Sequence, residues 1–148
     1  MRCPAAWFPV ALLLALAPAC STSRAGWGKG AWRELHEAGE LQVRRAPVRV
    51  DEGTGELVLA WIGARVPEGV AGVLDGCELL VYRDDDVDRV ADAGEIVLAR
   101  SSAQPGRKIQ FDDLRVRPAE TDADLVAQLE VRTKAGRQFF RFLFRHDE

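Results

Sequence analysis

The chain has 148 residues, 47% of them hydrophobic and 29% charged, with a formal net charge of −3. It is too apolar for a disordered chain and too short for two ordinary domains, and its mild acidity gives no footprint for a nucleic-acid partner. Three cysteines make neither a disulfide framework nor a four-ligand zinc site.

Residues 1–20 read MRCPAAWFPVALLLALAPAC. Arg2 is followed by an apolar run densest at 10–17, and then by the small residues Ala17-Pro18-Ala19 before Cys20. This is the order of a secretory signal peptide, and the run falls short of the ~20 apolar residues of a membrane span. Leu16-Ala17-Pro18-Ala19-Cys20 resembles the lipobox of bacterial lipoproteins, with Ala17 where that family usually has Leu. The resemblance implies cleavage before Cys20, a lipid on Cys20, and an exported protein anchored in the cell envelope. It would face the periplasm or the cell surface. Ala17-Pro18-Ala19 also fits a plain signal peptidase, which would cut the same bond and release a secreted form. Residues 1–19 are therefore expected to be a signal peptide. Cys3 is lost with it, and Cys77 is left as the lone thiol of the domain, read as a small buried hydrophobe.

Residues 20–39 are expected to form a lipid-anchored tether. STSRAGWGKG at 21–30 is Ser- and Gly-rich, and 31–38 can form a short helix with Trp32 and Leu35 on one face and Gly39 as its stop. His36 would then be a solvated helix residue. From residue 40 to 148 the period is two, which predicts an all-β domain. Leu41, Val43, Val48 and Val50 form a first strand interrupted at Pro47, and DEGTGE at 51–56 is a turn. LVLAWIGARV at 57–66 is apolar on both faces, like a central strand covered on both sides. Residues 67–76 form a loop, and CELLVY at 77–82 and IVLARS at 96–101 are strands. KIQFDDLRV at 108–116 changes parity near Asp112-Asp113, which predicts a β-bulge.

Leu125, Ala127, Leu129 and Val131 alternate with Val126, Gln128, Glu130 and Arg132, and Gly136 closes a short hairpin before Phe140, Phe142 and Phe144. About seven strands with turns between them predict a single antiparallel β-sandwich, Ig-like or fibronectin-III-like, with a small barrel as the alternative.

Two segments hold candidate ligands. In DDDVDRVADAGE at 84–95, Asp84, Asp86, Asp88, Val90 (through its carbonyl), Asp92 and Glu95 fall at positions 1, 3, 5, 7, 9 and 12 of a twelve-residue calcium loop. Calcium takes six to eight hard oxygens, and alternate residues of a curling loop point the same way. Flanking strands in place of helices make the segment resemble the Asp-rich calcium loops of bacterial surface β-domains, including the B-type repeats of Gram-positive adhesins. Arg89 stands where the sharp turn favours Gly, at a cost of roughly 1 kcal/mol. The bland alternative is a merely soluble acidic loop. In the last hairpin, Arg132, Lys134, Arg137, Phe139, Arg141, Leu143 and Arg145 form a candidate interaction face for an envelope protein or an anionic glycan. An ordinary solvated sheet face is the alternative.

No residue set supports catalysis. His36 and His146 stand near the ends of the mature chain, Ser101-Ser102 lies in a loop outside any G-x-S-x-G context, and no H-E-x-x-H or P-loop pattern occurs. Pairing of Asp112-Asp113 with Glu78 or Glu95 is the one acid–base option. The expected function is a binding or accessory module of the envelope, with calcium as a structural ion. The alternatives are an assembly subunit that docks through Cys77 or the basic hairpin, and a small hydrolase.

Overall fold

The computed structural model describes residues 30–91, 97–118 and 123–147. The expected signal peptide, Cys20 and Trp27 lie outside the described residues. Among the described residues nine strands occur: β1 (Arg33–Ala38), β2 (Leu41–Arg45), β3 (Val48–Val50), β4 (Leu57–Arg65), β5 (Gly76–Asp84), β6 (Val97–Ala103), β7 (Lys108–Val116), β8 (Asp124–Thr133) and β9 (Gly136–Leu143). Among the described residues there is no helix. None is therefore long and apolar enough to cross a membrane.

The strands form two antiparallel sheets that do not close into a barrel. In the first sheet β1 pairs β2, and β2, β3 and β7 all pair β4; the second has the order β6-β5-β8-β9. The chain crosses between sheets after β4, β6 and β7, the Greek-key habit of sandwiches.

The count exceeds the expected seven for two reasons. Pro47 divides one expected strand into β2 and β3. The expected helix at 31–38 is instead β1, so the sandwich begins before residue 40. The error has a physical source. β1 pairs β2 with a register shift between Glu34 and His36, which leaves Leu35 as an extra residue. The bulge turns Leu35 toward the core and leaves Trp32 exposed beside the Arg44 guanidinium, so their three-residue spacing marks no shared face. His36 consequently lies against the Phe140 ring, 5.2 Å between centroids, linking the two sheets.

The parity change at Asp112-Asp113 is real, but it is not a bulge in one strand. β4 and β7 keep one register along their whole length, from Leu57↔Val116 to Arg65↔Lys108. All three neighbours change face together. The row Val43, Ala64, Ile109 and the row Val48, Leu59, Leu114 face the core. Between the row of Arg45, Ile62, Phe111 and that of Val48, each strand spends two residues instead of one: Ala46-Pro47, Ala60-Trp61 and Asp112-Asp113. Ala46 N–H bonds the Trp61 carbonyl across this crease at 2.9 Å, and Asp113 takes φ 52° on it. The unbroken apolar run of β4 therefore has two sources: the change of face after Leu59, and burial of Trp61 at the crease as part of the main core cluster.

The main core lies between the sheets. The alternating residues Leu125, Ala127, Leu129 and Val131 of β8 all enter it, with Phe142 and Phe144. Cys77 is buried there, and burial pushes its thiol up to about 12. A second, smaller cluster of Leu80, Tyr82 and Val126 lies on the outer face of the second sheet, with Ala91 and Leu143 packed on it.

Beyond β9 the chain is pinned to the first sheet. Arg45 donates to both Asp147 oxygens, at 2.6 and 3.3 Å, and its guanidinium lies 4.2 Å from the Phe142 ring centroid. Asp147 also accepts from Val48 N–H at 2.8 Å and returns its own N–H to the Val48 carbonyl. Arg33, at the start of β1, approaches the same carboxylate at 3.7 Å. The start of β1 and the end of β9 thus meet at one end of the sandwich. Strand direction places the end of β5, the start of β6 and the 51–56 turn at that end too. The 67–75 loop and the β8–β9 turn mark the other, where the Arg107 guanidinium holds the carbonyls of Pro67, Val70 and Gly72.

Candidate cation site

Asp84 is the last residue of β5, on the same outward parity as Leu80 and Tyr82. The following loop folds back over that face and covers it. The fully buried Tyr82 donates its hydroxyl to the Arg89 carbonyl at 2.8 Å, and Arg89 N–H donates to Asp84 Oδ2 at 3.0 Å. Both peptide groups of Arg89 are therefore held, and the residue is fixed in the left-handed region at φ 60°. This is the sixth loop position, where the sequence pattern demands the sharp turn. Val87 is left-handed as well, at φ 64°, an uncommon conformation for a β-branched residue.

The turn gathers alternate carboxylates. Asp88 N–H donates to Asp86 Oδ1 at 3.3 Å, and Val90 N–H to Asp88 Oδ1 at 2.7 Å, which sets Val90 beside the cluster. Asp85, between the ligand positions, is drawn off by Arg83 at 2.7 Å. Asp84, Asp86 and Asp88 each offer one carboxylate oxygen, and these oxygens all lie within 4.8 Å of one another. That is about twice a metal–oxygen distance of ~2.4 Å, so one cation can touch all three. Asp84 is 1% exposed, and its Oδ1 is buried with no hydrogen-bond partner. A buried carboxylate oxygen with nothing to accept from is costly unless a cation meets it. The cluster can hold a metal ion. Asp92 and Glu95 lie outside the described residues.

Sequence reading singled out the ligand positions but missed Tyr82 and Arg83. Their signal was weak: a tyrosine at the end of CELLVY and an arginine ahead of three aspartates.

The basic hairpin is less open than its sequence implies. Arg132 and Arg137 both approach Glu130, at 3.8 and 3.7 Å, and Arg141 Nε donates to Gln128 at 2.7 Å while lying 5.1 Å from the Phe139 ring centroid. Leu143 packs into the smaller apolar cluster. Phe139 and Arg145 are exposed, whereas Lys134 lines an open cavity of about 650 Å³ at the opposite end, with Glu40, Val73, Leu74, Thr133 and Gln138.

Of the residues weighed for acid–base work, Glu95 lies outside the described residues, and Asp112 and Asp113 are on a different sheet from Glu78. Asp112 accepts from Gln110 and Asp113 from Arg115 on the first sheet, whereas Glu78 belongs to β5 of the second. Ser101 and Ser102 are in β6, not a loop. Fold and site thus define an antiparallel β-sandwich with a cation-competent acidic loop between two strands. No family model, curated protein or solved structure matches the chain.

Proposed function

We propose that the chain is an exported, lipid-anchored protein of the cell envelope whose β-sandwich is a non-catalytic binding or accessory module with one structural calcium ion. The observation that carries the calcium assignment is Asp84, a buried carboxylate with one unpartnered oxygen that stands in a cluster with Asp86 and Asp88. Three hard oxygens with no nitrogen or sulfur donor suit calcium better than zinc or copper. A site finished by a surface loop suits the weak, millimolar affinity of extracellular modules. Export and the lipid on Cys20 rest on the order of residues 1–20.

Thermal unfolding of the full chain with calcium and with chelator tests the ion. Calcium should raise the melting temperature of the wild type and leave Asp86→Ala unmoved; an unmoved wild type rejects the ion. Palmitate labelling tests the anchor, with label expected on the wild type and none on Cys20→Ser.

A second reading, a subunit of an envelope assembly, is favoured by β9. Among the described strands it pairs β8 alone, so its other edge offers backbone hydrogen bonds beside the exposed Phe139. The Cys77 route to such an assembly loses support, because that thiol is buried.

A further inference from the structure

The large apolar side chains that the fold leaves exposed are not scattered. Of the eight among the described residues, Trp32 and Val50 lie where β1 begins and β3 ends, and Val87, Val90, Val97 and Leu98 belong to the loop that leaves β5 at that end and to the start of β6. Only Val73 and Phe139 lie elsewhere. Val87 and Val90 flank the aspartates of the cation site, and Val87 is 70% exposed. Isolated exposed apolar residues need no explanation, but a set gathered at one end does.

The same end is where the chain leaves toward Cys20. The described residues begin at Gly30, ten residues beyond Cys20, and β1 starts at Arg33. Ten residues span at most ~36 Å, so a lipid on Cys20 would hold this end of the sandwich near the bilayer. Asp86 and Asp88 form the exposed side of the cation site. Three carboxylates alone would be repelled by an anionic membrane surface. A bound divalent ion reverses the sign of that interaction and leaves coordination positions that phosphate oxygens can fill.

We propose that this end of the sandwich docks on an anionic lipid surface, with a calcium ion at Asp84, Asp86 and Asp88 bridging to headgroup phosphates and Val87 and Val90 entering the interface. The proposal rests on the calcium reading above. It makes the ion a membrane clamp that orients the domain, beyond a structural role inside it.

The test reads position 87 itself. The full chain carrying Cys3→Ser, Cys20→Ser and Val87→Cys is labelled at residue 87 with an environment-sensitive fluorophore; the buried Cys77 is inert. On vesicles containing phosphatidylglycerol, about 1 mM calcium should raise and blue-shift the emission several-fold, and chelator should reverse it. Pure phosphatidylcholine vesicles should give no change. Adding Val90→Asp, or Asp86→Asn with Asp88→Asn, should abolish the response. The readout is local, so attachment through residues 1–20 cannot mimic it. If calcium raises the melting temperature but leaves the emission unchanged on every vesicle, the lipid contact is rejected and the cation reading stands. If calcium changes neither, both are rejected.

Discussion

Two aspartates at one end of the sandwich have opposite fates. Asp147 meets Arg45 through both oxygens and accepts a third bond from Val48 N–H. Asp84 is more deeply buried, yet only one of its oxygens finds a donor, the Arg89 N–H. Among the described residues the chain encodes the counter-charge for the first carboxylate and shows none for the second. A fold that satisfies one buried charge so fully and leaves another open points outside itself for the missing partner.

The largest test of the contrast is removal of the encoded partner. Arg45→Ala leaves Asp147 partly buried without its cation and strips the guanidinium from Phe142. We expect a loss of about 3 kcal/mol, near the low end for a broken buried pair because Asp147 keeps some solvent. The melting temperature should fall by about 10 °C. A loss under about 0.5 kcal/mol would reduce the pair to an ordinary surface contact.

The supplied partner should be worth less. At ten times its dissociation constant, calcium stabilises the wild type by about 1.4 kcal/mol. Asp84→Asn should reverse the ranking of the two proteins. In chelator it should match or exceed the wild type, because no charge is buried unpaired, whereas in calcium it should fall behind. Denaturant titrations in both conditions measure this. A variant less stable in both would show that the carboxylate is satisfied by the protein alone.

Acid sharpens the comparison further. Burial alone would raise the Asp147 carboxyl, but the bonds from Arg45 and Val48 and the charges of Arg45 and Arg33 outweigh it and hold the group below its usual range. A carboxylate depressed in the folded state adds stability above its unfolded pKa of ~3.9, and that stability is lost as the pH falls through the lower folded value. Asp147→Asn should therefore be less stable than the wild type at neutral pH, by about 1 kcal/mol. The gap should close as the pH drops below ~3.9. A gap independent of pH would assign the loss to packing rather than charge.

The smallest effect expected is at Cys77. With its thiol pushed up to about 12, it should resist thiol reagents in the native state and react only as the domain unfolds. Rapid native labelling at neutral pH would contradict its burial.

Most of the sandwich is legible in the sequence because one buried face imposes a period of two. The alternation in β8 and the phenylalanines of β9 place the core without any structure. β1 is not legible because Trp32 and Leu35, three residues apart, imitate a helical face, and its pairing with β2 is a tertiary event that no local pattern records. The ligand positions Asp84, Asp86 and Asp88 could be read from spacing alone. The burial of Asp84 could not, since it depends on the loop folding back and on Tyr82 catching the Arg89 carbonyl. The ion pairs of the basic hairpin are illegible for the same reason: Glu130 precedes the basic run in sequence but sits between Arg132 and Arg137 in space.

The crease across the first sheet limits how this protein can be edited. Its three strand lines each hold one surplus residue at the same level, and the register stays true because all three do. Deleting Pro47, Ala60 or Asp113 singly would turn half of one strand inside out against two unaltered neighbours. Deleting all three together would flatten the sheet and keep every pairing. Length changes in this sheet should therefore be tolerated as a matched triple and rejected one at a time, which a small library of single and combined deletions scored for folding would reveal.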